Sequence, residues 1–188
     1  MAAGLNITQG LDNRCLKELN QICLPNLRII SVFLRDSTCS ACLLAILGST
    51  TGLRELHVQS FNLAVDIQTW VSVARHCKEL RMLTINYIHL QDEAVGEFTR
   101  LCPHIVHFAI TDSDDITDEG VLAVVQNLNN LRSLDFRNCE QLTDESVVHI
   151  AQYCANTLEV LQLCSELISE LAVMDLQRKC KKLRICEW

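Results

Sequence analysis

The pattern Leu-x-x-Leu-x-Leu recurs along this chain at nearly constant distance, and no other feature limits its fold so tightly. Clear copies are Leu27-x-x-Ile30-x-Val32, Leu53-x-x-Leu56-x-Val58, Leu80-x-x-Leu83-x-Ile85, Ile105-x-x-Phe108-x-Ile110, Leu131-x-x-Leu134-x-Phe136 and Leu158-x-x-Leu161-x-Leu163. Their first positions are 26, 27, 25, 26 and 27 residues apart. Partial copies stand at Leu5-x-Ile7 and at Leu183-x-x-Cys186-x-Trp188. Such alternation marks a strand with one buried face.

Each strand pattern is followed by a second repeating element. Ile116-Thr-Asp-Glu-Gly-Val-Leu-Ala-Val-Val matches Leu142-Thr-Asp-Glu-Ser-Val-Val-His-Ile-Ala, with looser versions at Leu90-Gln-Asp-Glu-Ala-Val and Ile168-Ser-Glu-Leu-Ala-Val. Apolar residues at i, i+3 and i+4 predict a helix with one buried face. Thr117 and Thr143 suit helix N-caps, and Asp118 and Asp144 put negative charge at the positive end of the helix dipole. A strand then a helix, always in that order, predicts a parallel sheet with helices on its other side. No unit buries its apolar face alone, so the units stack into a curved solenoid.

Composition agrees with one such domain. The 188 residues suffice for a sizeable core, and 49% hydrophobic against 5% aromatic content makes that core aliphatic. A formal charge of −7 argues against non-specific nucleic-acid or anionic-membrane binding, which need a basic surface. The opening MAAGLNITQGLDN has neither the basic start nor the apolar stretch of a signal peptide. No uninterrupted apolar run approaches the ~20 residues of a membrane-spanning helix. Eleven cysteines without a secretory signal predict buried thiols in a reducing compartment, cytosol or nucleus.

The run Cys-x-x-Leu-x-x-Leu-x-Leu-x-x-Cys-x-x-Leu-Thr-Asp resembles the cysteine-containing leucine-rich repeat. Residues 131–145, with Cys139 and Leu142-Thr143-Asp144, match it best, and the leading cysteine recurs as Cys23, Cys77, Cys102, Cys154 and Cys180. The resemblance covers essentially the whole chain. It implies an α/β leucine-rich-repeat solenoid, a right-handed, ribonuclease-inhibitor-like β-α superhelix of about seven repeats over residues 1–188. The parallel sheet would line its concave face and the helices its convex face. This subfamily is typical of F-box/leucine-rich-repeat proteins, the substrate-recognition subunits of SCF-type ubiquitin ligases, and of the related antagonist of mitotic exit. A protein-interaction role in ubiquitin-dependent degradation is thereby implied, with a Skp-type adaptor and a cullin ligase as partners. An F-box would precede the repeats, and the strand-like copy at Leu5 leaves no room for one. The chain is therefore expected to be a repeat-only binder, acting as scaffold or inhibitor without a ligase, or part of a longer chain.

Chemistry-bearing motifs are sparse. Cys39-Ser-Ala-Cys42 is a CxxC, but zinc needs a second ligand pair and redox chemistry a thioredoxin-like context. Offset by three repeats, the two cysteines fall at an ordinary helix start. The acidic run Asp112–Glu119 lacks the Gly at position six and the Glu at position twelve of a calcium loop, with Thr117 and Ala123 there instead. His57 and His107 fall on strands two repeats apart with no nucleophile recurring beside them. No Gly-rich phosphate loop is present. No enzyme, metal, cofactor or small-molecule substrate is expected.

The strand positions between the core leucines should face the concavity. Among them Phe33, His57, Met82, Tyr87, His107, Asp135, Arg137 and Gln162 are the candidate partner-binding residues. Phe33, Met82 and Tyr87 are large apolar groups where small polar ones would suffice, and aromatic and Arg side chains are the commoner hot spots. Leu56, Leu83, Phe108, Leu134 and Leu161 should instead be core.

Overall fold

The computed structural model describes residues 3–7, 26–35 and 38–188. Its strands are β1 (Ala3–Ile7), β2 (Leu27–Leu34), β3 (Glu55–Ala64), β4 (Met82–His89), β5 (His107–Thr111), β6 (Ser133–Phe136), β7 (Val160–Leu163) and β8 (Ile185–Glu187). The helices are α1 (Thr38–Gly48), α2 (Ile67–His76), α3 (Asp92–Leu101), α4 (Asp118–Asn127), α5 (Asp144–Tyr153) and α6 (Glu170–Lys179). Strands pair in sequence order into one sheet, every pair parallel.

One row shows why the sequence folds this way. Ile30, Leu56, Leu83, Phe108, Leu134 and Leu161 lie opposite one another on successive strands, and all are buried. They meet the apolar face of the helices, represented by Val95 and Phe98 of α3 and Val121 and Val124 of α4. Aromatic pairs reinforce the layer: Trp70 meets Phe98 edge-on at 5.9 Å, and Phe108 lies 5.9 Å from Phe136. Paired strands sit about 4.8 Å apart whereas packed helices need about 8–10 Å, so the helix side is longer and the sheet bends inward. The sheet is thus the concave layer.

The Thr-Asp motif does more than cap its own helix. Thr117 and Thr143 are N-caps whose hydroxyls accept from Glu119 N–H (3.3 Å) and Glu145 N–H (3.2 Å). The first-turn carboxylate then reaches the cap of the next repeat. Asp92 accepts from Thr117 N–H (3.0 Å) and hydroxyl (2.6 Å), Asp118 does the same with Thr143 (2.9 and 2.6 Å), and Asp144 with Ser169 (2.6 and 2.8 Å). Asp118 also accepts from the N–H and hydroxyl of Ser146. At the position equivalent to Ser146 stands Gly120, where a Cβ would collide with the Asp92 carboxylate. The motif therefore staples adjacent repeats.

The cysteines occupy a second repeating place. Cys77, Cys102, Cys154 and Cys180 are the C-caps of α2, α3, α5 and α6, each giving its N–H to a carbonyl of the last turn; Leu128 takes that place in α4. Their side chains are buried. The Cys102 thiol donates to the carbonyls of Ala74 (3.5 Å) and Cys77 (3.4 Å). Burial pushes the thiols of Cys102, Cys139 and Cys154 up to about 12, which keeps them protonated. The expectation of buried thiols fails at Cys164, which is exposed because it follows the last core residue of β7, Leu163, and leaves the core row. Cys23 and the side chains of Cys39 and Cys42 lie outside the described residues, although the backbone of both CxxC cysteines belongs to α1.

Candidate functional site

Register on the sheet divides the solvent-facing residues into rows. Glu55, Met82, His107 and Ser133 follow one another across β3 to β6, and Ser31, His57, Thr84, Ala109, Asp135 and Gln162 form the next row from β2 to β7. A third row holds Phe33, Gln59, Asn86 and Thr111. His57 and His107 thus stand in different rows, with Thr84 beside the first and Met82 beside the second. Of these two histidines, His57 lies 3.9 Å from the Glu55 carboxylate.

Phe33 and His57 come together in a hollow of about 220 Å³ whose wall includes Asn6, Ser31, Gln59, Thr84 and Asn86. Val32, Phe33 and Val58 supply its apolar lining, and the amides, hydroxyls and the His57 imidazole the rest. Met82 and His107 are direct neighbours beside this hollow, both half-buried. Asp135 of β6, Arg137 just after it and Gln162 of β7 form a separate polar group. Arg137 donates to both Asp135 oxygens (3.0 and 2.8 Å), and its N–H bonds the same carboxylate at 3.1 Å. Asp135 is only 9% exposed and so orients the exposed guanidinium of Arg137. Gln162 donates to Glu187 on β8.

Tyr87 is 46% exposed and has φ 57°, the left-handed region. Asp112 and Asn138, one and two repeats further on, share that conformation with φ 58°. Asn138 donates to Asp112 at 2.8 Å, a bond Tyr87 cannot extend. Asn and Asp tolerate this backbone, and a bulky residue is strained there.

The acidic run of residues 112–119 does not converge. Asp112 binds Thr111 and Asn138, Asp115 pairs with His89 at 3.0 Å, and Asp118 belongs to the repeat staple. Among the described residues no group of three His, Cys, Asp or Glu is placed to hold a metal ion. No helix among them is long and apolar enough to cross a membrane.

One residue of this face escapes the sequence pattern. Phe61 is 82% exposed, and its ring packs edge-on against Phe33 with centroids 4.7 Å apart. It lies where β3 bulges: Gln59 pairs with Asn86 but Leu63 with Ile88, leaving two surplus residues on β3. The 27-residue length of this repeat, against 25 in the next, is the signal in the sequence.

A strand–helix unit of 25–27 residues with a Leu-x-x-Leu-x-Leu strand and a parallel concave sheet admits one description. The fold is a leucine-rich-repeat solenoid. Rad7, in a crystal structure of the Rad7 and Elc1 complex in yeast, matches this solenoid with a TM-score of 0.50 at 17% identity, over 86% of this chain and 50% of that one. That likeness is one of fold. F-box protein SKIP1 of Arabidopsis thaliana is 26% identical over 68 residues, which make up 36% of this chain and 23% of that protein. No protein-family model matches the chain. The solenoid therefore spans half the length of one of these proteins and less than a quarter of the other.

Proposed function

We propose that the solenoid is a non-enzymatic protein-interaction module that receives a partner on its concave sheet. The observation that carries this reading is Phe61, exposed on a bulge, packed on Phe33 beside a hollow lined by both apolar and polar side chains. An apolar anchor ringed by amides and hydroxyls matches the anatomy of a protein interface. The partner contacts are Phe33, Phe61, His57, Met82 and His107 at one end, with Tyr87 at the strand edge and Arg137 and Gln162 at the other end. Asp135 holds Arg137 in place.

The role we assign to this module is substrate recognition for an SCF-type ubiquitin ligase, in cytosol or nucleus. Its support is the cysteine-containing repeat and the similarity to an F-box protein. The ligase would be reached through a Skp-type adaptor and a cullin, either by an F-box on the same polypeptide or by a companion subunit. Rad7 and Elc1, solved as a complex, are the precedent for a companion. Affinity purification from cells, followed by mass spectrometry, should recover a Skp-type adaptor and a cullin, and partner half-life should shorten on overexpression. Recovery of a stoichiometric partner with unchanged half-life and no cullin would assign the chain to the second reading, a scaffold or inhibitor.

A further inference from the structure

The residue directly after each repeat's first apolar position forms a ladder along the edge of the sheet. Arg28, Arg54, Arg81, Arg132 and Arg184 occupy five of its rungs, and Val106 and Glu159 the other two. The rungs are in strict register, each N–H bonding the carbonyl of the rung before it at 2.8 Å. Because all strands run parallel, this edge is the one at which every strand begins. The acidic loop residues Asp112, Asp114, Asp115 and Glu140 follow strand ends and lie at the opposite edge. The formal charge of −7 is therefore unevenly spread, and one edge is basic.

The rungs differ in how free they are. Arg28 is committed to the fold, giving one guanidinium nitrogen to the carbonyls of Thr51 and Gly52 at 2.7 Å each. Arg81 makes one long bond to the His104 carbonyl (3.3 Å), and Arg132 pairs loosely with Glu159 at 3.6 Å. Arg54 and Arg184 are exposed, and their guanidinium groups make no hydrogen bond or ion pair with the described residues. A hollow of about 320 Å³ opens over the Val106 rung, lined by Arg81, Arg132, Lys182 and Glu159.

We infer that this arginine ladder binds an acidic, extended segment of a protein, with one carboxylate seated over Val106 between Arg81 and Arg132. Guanidinium forks match carboxylates in bidentate geometry. With strands about 4.8 Å apart, the ladder from Arg28 to Arg184 runs about 29 Å, the reach of about nine extended residues. Separated carboxylates suit a ladder interrupted at Val106 and Glu159. A nucleic acid suits it less well, since its phosphates recur at every nucleotide whereas the basic rungs are broken at Val106 and Glu159. The ladder lies outside the concave rows, so the inference does not depend on what the sheet face receives.

Fluorescence polarisation with the 188-residue chain tests it. The probe is a labelled peptide of about nine residues alternating Glu and Ser, matched to the ladder's length. Binding should weaken about tenfold in Arg81→Ser with Arg132→Ser, and also in Arg54→Ser with Arg184→Ser, whose side chains bear no structural load. Raising salt should weaken it as well. Arg81→Lys with Arg132→Lys should keep part of the affinity, whereas Arg100→Ser and Phe33→Ala with Phe61→Ala should leave it unchanged. Equal binding by the Arg54 and Arg184 variant overturns the proposal. So does a single-stranded oligonucleotide of equal charge that binds more tightly and displaces the peptide.

Discussion

Asp118, the first residue of α4, accepts hydrogen bonds from both the backbone N–H and the hydroxyl of Thr143, the N-cap of the next helix. One carboxylate thus holds the start of a helix that is not its own. Ser146 adds two more bonds, while Asp92 and Asp144 each serve only a capping residue. Asp118→Ala should therefore be the most damaging of the three alanine substitutions, about 2–3 kcal/mol, because charge-assisted bonds are lost and a partly buried cap is left open. Urea unfolding followed by circular dichroism measures the ranking.

The same carboxylate makes a prediction about pH. Burial raises its pKa, but the bonds from Ser146 and Thr143 outweigh burial, and the net value is lowered. A group with a depressed folded pKa stabilises above its unfolded value, about 3.9, and that stabilisation disappears as pH falls through the folded value. The stability gap between wild type and Asp118→Asn should be constant near neutrality and close below about pH 4. A gap that persists unchanged at pH 2 would contradict the geometry.

Tyr87 is the misfit of its ladder. Asn at that position accepts the left-handed backbone and would stand one repeat before Asp112, as Asp112 stands before Asn138. Tyr87→Asn should raise stability by about 0.5–1 kcal/mol, with Tyr87→Ala on the destabilised side of Asn. If Tyr87 contacts the partner, as proposed, the Asn variant should also bind it more weakly. Thermal unfolding and partner titration on the same sample separate the two effects.

Core and face substitutions should behave in opposite ways. Leu134 is fully buried, and Leu134→Ala should cost about 2–5 kcal/mol. Loss of binding in that variant would report unfolding. Phe33→Ala with Phe61→Ala should weaken partner capture at least tenfold, since hot-spot aromatics contribute about 2 kcal/mol or more, and should shift the melting temperature little.

Thiol labelling should be strongly uneven. Cys164 is exposed, while Cys102, Cys139 and Cys154 are buried with their thiols held protonated. Brief maleimide treatment at pH 7.5 followed by peptide mass spectrometry should modify Cys164 and spare those three until denaturant is added. Rapid native labelling of Cys102 would mean that the helix C-caps open.

The sequence by itself determined the repeat, its length, the strand–helix order and the residues of the core. Every Leu-x-x-Leu-x-Leu position from Leu27 to Leu163 is buried, because a period-two pattern can satisfy one apolar face in only one register. The caps Thr117 and Thr143 were legible for a similar reason: a helix start is a local event. Tertiary structure decided what depends on neighbouring repeats. That Asp118 bonds Thr143 rather than only facing its own helix dipole follows from the stacking distance between helices. That Phe61 stands on Phe33 follows from a two-residue bulge, invisible in a motif that ends at Val58. The arginine ladder is written in the sequence as single residues, but only a shared parallel register brings Arg54, Arg81 and Arg132 to one edge. Periodicity specifies which side of a strand is buried; the distance between strands decides which surface side chains act together.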